Sequence, residues 1–387
     1  MARVLEVFEP PDGGVAENVR QLALALGEHG HRVELAGPME AIVYPELEAA
    51  GVPIRRLPFA RGYGSPREDA AALRGLLALL RGGACDLVHC HSAKAGVLGR
   101  LAARAAGVPA IYTPHSFPFV GDFGAPRRMF ATGVERALAP LSAAIVCVSE
   151  EERRAGIASG IAAGRMRVIH NGCAPCGEDV EPDPALVALA AGGPVAGAVS
   201  VLREQKRVDV LLDAVPAVLE QVPEARIAIV GEGPLRDELH ARATVLGLSE
   251  EPRFAFLPFR PPASRHLRAL DVFVLPSAWE SFPIGVLEAL ACGVPQVASE
   301  VGGTAEAVTP ETGVLVPPRD PAALAAALAA MLTDPERRAT MAVASRARHA
   351  ERFGVEGMVA ATARLYDEVL RSRGASSRGA SGRSPSP

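Results

Sequence analysis

The sequence Pro276-Ser277-Ala278-Trp279-Glu280-Ser281-Phe282-Pro283-Ile284-Gly285-Val286-Leu287-Glu288-Ala289-Leu290-Ala291-Cys292-Gly293 carries two carboxylates at a spacing that could do chemistry together. Pro283 suits the first turn of a helix and Gly293 its C-terminal stop, so Glu280 precedes the helix and Glu288 lies within it. Glu288 has Val286, Leu287, Ala289, Leu290 and Ala291 around it, and a carboxylate buried there without a partner would cost several kcal/mol. A pair of adjacent hydroxyls, as on ribose, can donate two hydrogen bonds to one carboxylate, and Glu280 could receive hydroxyls of a sugar in the same way. An internal ion pair for Glu288 and a helix-dipole role for Glu280 are the competing structural readings.

Other candidates stand where a strand gives way to a helix. Leu202-Arg203-Glu204-Gln205-Lys206-Arg207 sets three cations at such a junction, a place that favours anions, although a solvated charge run has the same appearance. Gly231 and Gly233 in Val230-Gly231-Glu232-Gly233-Pro234 could bring backbone close to a nucleotide, and Gly13-Gly14 after Glu9-Pro10-Pro11-Asp12 could do so at another helix start. Plain turn chemistry is the alternative for both. His115, in Tyr112-Thr113-Pro114-His115, closes a strand, where a histidine serves either structure or a ligand. His89-Cys90-His91 puts both rings on one face of a strand, but zinc would need further ligands, and no metal is expected.

These positions need a scaffold of alternating strands and helices, and the apolar pattern supplies one. Strands are expected at 4–8, 32–36, 86–91, 110–113 and 144–149, with helices at 16–27, 69–80 and 95–106 among them. Residues 171–194 hold Gly, Pro, Cys and acids with little periodicity, so 172–194 reads as a linker. A second series follows, with strands at 195–199, 226–230, 253–257, 272–275 and 296–298 and helices at 208–219, 235–246, about 283–292, 322–332, 335–351 and 357–370. Alternation of this kind predicts α/β architecture, two doubly wound parallel sheets whose ligands bind outside the carboxyl ends of the strands. The domains are then 1–171, 195–354 and a C-terminal helix over 355–370 that returns to the N-terminal domain. The tail 371–387, built only of Arg, Ser, Gly, Ala and Pro, is expected to be disordered.

Composition narrows the class. At 387 residues, 49% of them hydrophobic, the chain can build two sizeable cores. A net charge of −4 with 22% charged residues disfavours nucleic-acid binding and disorder. The start has neither the apolar core nor the cleavage site of a signal peptide, and no stretch is apolar enough to span a membrane, so a cytoplasmic location is expected. The six cysteines are read as mostly buried, reduced thiols, and Cys173-Ala174-Pro175-Cys176 as a loop. Of 40 Lys plus Arg, only Lys94 and Lys206 are lysine. Coding bias explains the shortage, yet the two survivors invite a search for sites that need a compact ammonium.

Taken in order, the motifs resemble the retaining glycosyltransferases of family 4, which have the two-domain GT-B fold, over essentially everything before the tail. Glu280 to Glu288, the following Ala-Leu-Ala-Cys-Gly, Gly302-Gly303 and Glu306 carry the likeness most specifically. Gly13-Gly14, Asp86-Leu-Val-His-Cys-His-Ser92, His115, Val148-Ser149-Glu150, Asn171-Gly172 and Gly231-Glu-Gly-Pro234 support it. The blocks His91–Gly96 and Tyr112–Phe119 look like members that build bacterial surface polysaccharides or lipid-linked saccharides.

The resemblance implies transfer of a hexose-type sugar from a nucleoside-diphosphate sugar, with UDP or GDP the expected carrier, to a hydroxyl acceptor with anomeric retention and without a metal or other cofactor. By position, Glu288 would hold the ribose, Glu280 the donor sugar, and Phe282, Pro283, Ile284 and Gly285 the sugar and diphosphate by their backbone. Gly13, Gly14, Gly231 and Gly233 would lie along the nucleotide, Lys206 would neutralise the diphosphate, and His115 would contact the sugar near its anomeric carbon. Relatives commonly place an arginine where this chain has Val201, and Arg203 is the candidate replacement. Another GT-B sugar-nucleotide enzyme, an epimerase or phosphorylase, and a non-catalytic nucleotide-sugar-binding protein are the alternatives. Arg127-Arg128-Met129-Phe130 is a candidate for peripheral membrane contact at the inner face, against the plainer reading of a solvated helix.

Overall fold

The computed structural model describes residues 1–59, 65–83, 85–177 and 179–381, with side chains described to Arg373. The chain divides into two compact units, residues 1–171 together with the chain from Val355 onward, and Gly172–Gly354.

The first unit is a parallel sheet of β1 (Ala2–Phe8), β2 (His31–Gly37), β3 (Ile54–Arg56), β4 (Leu87–His91), β5 (Ala110–Thr113), β6 (Ala144–Cys147) and β7 (Met166–Val168), in the order β3-β2-β1-β4-β5-β6-β7. The order reverses between β1 and β4, where Glu6 lies opposite His89 and Phe8 opposite His91. Helices cover both faces, so the central strands are buried almost throughout, as parallel sheets require. Leu76, Val88, Tyr112 and Ile145 fill one face. Phe8, Leu22, Val359 and Tyr366 fill the other, the last two from the C-terminal helix.

That helix, Val355–Ser381, runs past the expected end at Leu370 into the segment read as a disordered tail. Its inward stripe of Met358, Val359, Ala363, Tyr366 and Val369 docks the first part, and a continuous run without proline lets the helix propagate. The expectation for 382–387 lies outside the described residues.

The second unit repeats the plan with β8 (Val195–Val199), β9 (Arg226–Val230), β10 (Phe254–Leu257), β11 (Val272–Leu275), β12 (Gln296–Ser299) and β13 (Gly313–Val316), all parallel, in the order β10-β9-β8-β11-β12-β13. Leu211, Val215, Ile227, Val274 and Leu328 are central to its core. Here the order reverses between β8 and β11.

Residues 172–194, read as a linker, belong to this second unit and carry the helix Pro184–Ala190. Asp183 caps it by accepting from the Ala185 amide, Pro184 opens it, and Leu186 is fully buried. Cys173 pairs backbone with Gly354, and Cys176 forms a disulfide with Cys292 at the end of the helix Ile284–Cys292. The expectation of reduced thiols is thereby corrected for Cys176 and Cys292, because the fold brings together sulfurs separated by 116 positions in sequence. Cys173, at the CxxC spacing, instead has its Sγ 3.3 Å from His349 Nε2.

Candidate active site

In the second unit the loops after β8 and β11 meet at the point where strand order reverses, the place where doubly wound sheets bind ligands. Lys206 closes the turn Glu204–Lys206 after β8 and donates from Nζ to Glu280 Oε1 at 2.6 Å. Ser277 Oγ donates to the same oxygen at 2.8 Å, and Gln205 Nε2 donates to Oε2 at 3.2 Å. The two loops are also stitched through backbone: Gln205 Nε2 donates to the Trp279 carbonyl, and the Ala278 amide to the Gln205 carbonyl. Glu280 is buried, so its charge is held by three donors rather than by water.

The helix Ile284–Cys292 begins one residue later than expected, with Pro283 as its N-cap and Gly293 as its left-handed stop. Phe282 is buried against Phe353, with ring centroids 5.5 Å apart, and this fixes the entry of Pro283, Ile284 and Gly285 into the helix. Glu288, on the second turn, is half-buried.

Gly302 has φ +50, and a Cβ built there would stand 1.6 Å from the Glu280 carbonyl oxygen, while the Gly303 amide donates to the Ser281 carbonyl. The Gly-Gly pair therefore sets the height of the Glu280 loop. Gly231 has φ +157, and a Cβ there would meet the Ser200 carbonyl at 1.9 Å. At Gly233 a Cβ would lie 2.4 Å from the Leu202 carbonyl. The close backbone approach that these glycines permit is made to the loop bearing Arg203 and Lys206.

Of the three cations in that loop, Lys206 is paired with Glu280 and Arg207 with Asp209, at 2.7 Å. Arg203 is the half-buried N-cap of the short turn. Sequence reasoning picked out Lys206 and Glu280 separately and missed their pairing. It also missed Gln205 and Ser277, neither of which has a charge to mark it.

In the first unit Gly13 and Gly14 lead directly into the helix Gly13–Ala25. His115 lies beyond β5 with φ +54, followed by Ser116 at φ +119, a conformation that costs non-glycine residues energy. The Ser116 amide donates to Glu152 Oε1, which helps to hold it. His115 Nε2 is 3.0 Å from His91 Nδ1, and His91 Nε2 is 2.7 Å from Glu6 Oε2. Tyr366 donates to Glu6 Oε1 at 2.7 Å, His89 Nδ1 is 2.5 Å from the Tyr366 hydroxyl, and His89 Nε2 is 2.7 Å from Thr113 Oγ1.

Burial first, then the neighbouring imidazoles, pushes His89 well below the ordinary histidine range, and burial followed by His91 does the same to His115. Burial and the Glu6 charge push the Tyr366 hydroxyl well up, so it keeps its proton. Glu6, His89 and His91 offer ligand atoms within 4.8 Å of one another. However, two ligands of a tetrahedral zinc stand roughly 3.3 Å apart for bonds of about 2.0 Å. The 2.7 Å separation between His91 Nε2 and Glu6 Oε2 is that of a hydrogen bond.

Lys94 also has a carboxylate partner. Its ammonium donates to Asp69 at 2.9 Å and ties two helices together. Arg127, Arg128, Met129 and Phe130 lie exposed on the helix Ala125–Leu138.

Residues 13–172 match the glycosyl transferase 4-like domain family, and residues 193–334 match glycosyl transferases group 1. A D-inositol 3-phosphate glycosyltransferase of Streptomyces bingchenggensis is 31% identical over 403 aligned residues, spanning 93% of this chain and 85% of that protein. The UDP-Gal:alpha-D-GlcNAc-diphosphoundecaprenol alpha-1,3-galactosyltransferase of Escherichia coli is 31% identical over 246 residues, 61% of this chain and 63% of that protein. Among solved structures, Anabaena HepE in complex with UDP and glucose superposes with a TM-score of 0.81 at 24% identity, covering 95% of this chain and all of that one. The chain belongs to this glycosyltransferase family, and its two doubly wound units have the GT-B fold.

Proposed function

We propose that the protein transfers a hexose-type sugar from a nucleoside-diphosphate sugar, with UDP or GDP as carrier, to a hydroxyl of a saccharide or lipid-linked saccharide, retaining anomeric configuration and using no metal. The observation that carries this reading is the contact between Lys206 and Glu280 at the switch point of the second sheet. An ammonium beside a carboxylate suits a ligand whose phosphate accepts hydrogen bonds and whose neighbouring sugar donates them. Both groups are then satisfied by adjoining parts of one donor.

Lys206 stabilises the diphosphate as negative charge develops on it, the kind of interaction that supplies a large catalytic term. Glu288 binds the ribose hydroxyls, and the backbone of Phe282, Pro283, Ile284 and Gly285 meets the sugar and diphosphate. Gly13 and Gly14 approach the diphosphate, Gly231 and Gly233 lie along the nucleotide, and Arg203 adds a second cation. Lacking an assigned carboxylate nucleophile, the reaction proceeds by front-face attack: the acceptor oxygen bonds to the anomeric carbon as the bond to phosphate breaks, and the departing phosphate takes the acceptor's proton. His115 contacts the sugar. The names of the relatives, one a galactosyltransferase with a diphosphoundecaprenol-linked substrate, support the donor and acceptor classes. The exposed Arg127–Phe130 segment is then the contact with an anionic membrane bearing the acceptor, with Met129 and Phe130 each 73% exposed beside two arginines.

A thermal-shift screen with UDP-, GDP-, ADP- and dTDP-sugars tests the donor. The cognate compound at a hundred times its dissociation constant should add about 2.7 kcal/mol. Incubation of that donor without acceptor should leave it unisomerised, and Glu280→Ala should abolish transfer. An isomerised donor would convert the reading to an epimerase, and transfer undiminished in Glu280→Ala would remove the assigned site.

A further inference from the structure

We propose that Glu6 and His91, steadied by Tyr366, form a buried relay that sets the tautomer of His115, so that His115 presents a bare Nδ1 to a hydroxyl of the sugar. The role given to that nitrogen rests on the glycosyltransferase reading above. The tautomer itself follows from the hydrogen bonds together with one proton on the His91 ring.

Proton counting starts at Tyr366, whose hydroxyl donates to Glu6 Oε1. That oxygen atom of Tyr366 then accepts from His89 Nδ1–H, and His89 Nε2 accepts from the Thr113 hydroxyl. His89 is thus neutral and fully committed. With Oε1 occupied by Tyr366, Glu6 takes the Nε2–H of His91 on Oε2. With a single proton on the His91 ring, at Nε2, its Nδ1 offers only a lone pair, so the 3.0 Å contact to His115 is made by the Nε2–H of His115. His115 is left with Nδ1 as an acceptor.

The chain of bonds runs from a fully buried carboxylate through a fully buried imidazole to a partly buried one. Its direction is inward from His115, the side chain held in a left-handed backbone. Strain of that kind persists where the surroundings over-determine it. A charged group beside this segment is Glu152, which is engaged by the Ser116 and Val148 amides. Cys90, between the two histidines, is pushed up to about 12 by burial and stays a thiol. Glu6, His91 and Tyr366 are positioning residues, because none of them reaches substrate except through His115.

The substitution Glu6→Gln separates this role from simple packing. Its amide has one accepting and one donating end. Placing the NH2 toward Tyr366 would force the phenol to donate to His89 Nδ1 and His89 to move its proton to Nε2, whereas with the carbonyl toward Tyr366 those bonds stay as they are and the NH2 donates to His91 Nε2. His91 must then carry its proton on Nδ1 and give it to His115 Nε2, which moves the His115 proton to Nδ1. A carboxylate that holds an imidazole in its working tautomer is the same logic as in catalytic triads.

Nitrogen-15 spectra of the histidine-labelled full chain read this directly, with the His91 and His115 signals assigned by their loss in His91→Ala and His115→Ala. In the wild type we expect Nε2–H on both rings, and in Glu6→Gln Nδ1–H on both. With the cognate donor, Glu6→Gln should lower kcat by about tenfold or more at nearly constant KM, and in the His115→Ala background it should have no further effect. Nδ1–H on wild-type His91, an unchanged His115 tautomer in a Glu6→Gln protein whose His89 keeps its Nδ1–H, or losses that multiply in the double variant would each overturn the relay. The wild-type spectrum decides even if Glu6→Gln fails to fold. Correct tautomers in a protein that transfers no sugar would keep the relay and sink the functional reading instead.

Discussion

Lys206 and Glu280 hold each other at 2.6 Å, and the kind of cation matters there. An ammonium is a compact point charge with three rotatable donors on a flexible stem, able to turn from the carboxylate to a phosphate, whereas a guanidinium is a planar fork that favours a fixed bidentate pair. Lys206→Arg is therefore expected to bind donor but lose turnover, by roughly tenfold or more if the lost term resembles other charge-stabilising contacts. Steady-state kinetics with the cognate donor check this, and wild-type kcat in the variant would reduce the lysine to coding bias. Residue types made Lys206 and Glu280 legible in the sequence. Their mutual contact was not legible, because it joins loops 74 positions apart. Lys94 shows the same limit from the other side, since its scarcity suggested a ligand and the fold supplied Asp69.

At the level of elements, each strand-to-helix turn carries its own local signal, and most of the alternation could be read from it. Pro283 and Gly293 bracketed the helix Ile284–Cys292 to within a residue. The helix Pro184–Ala190 was missed because the surrounding Gly, Pro and Cys hid a seven-residue element that is secured by its cap and one buried leucine. The pair Gly302-Gly303 entered as part of the family likeness, and the fold shows that Gly302 is needed because the Glu280 carbonyl occupies the space a side chain would take. Gly302→Ala should thus act on the site through the loop. We expect a stability loss of about 1–3 kcal/mol from overpacking and left-handed strain, with a larger loss of turnover than of global stability. Denaturant melts compared with kcat test it, and an unchanged kcat would show that the loop does not set the position of Glu280.

For the whole molecule, the surface question is where an acceptor is met. The described residues include no helix long and apolar enough to cross a membrane, and the exposed Arg127–Phe130 segment is the proposed point of contact. The chain carries a net charge of −4, so adsorption to anionic lipid would have to come from a local patch, at about 1 kcal/mol per basic residue near the surface. Vesicles containing phosphatidylserine should carry the protein upward in a flotation gradient, and an Arg127→Ala/Arg128→Ala variant should float at least several-fold less. Equal flotation of the two rejects the contact.

The sequence by itself determined the alternating α/β plan, because strand and helix periodicities depend on patterns within a few positions of one another. Only the tertiary structure decided that Cys176 pairs with Cys292, that Lys206 lies against Glu280, and that Tyr366 returns to close a hydrogen-bonded chain with Glu6, 360 positions away. Buried polar groups must find partners wherever the fold places them, and which partners those are depends on strand order. The order β3-β2-β1-β4 sets Glu6 beside His89 and His91, and β8 beside β11 sets Lys206 beside Glu280.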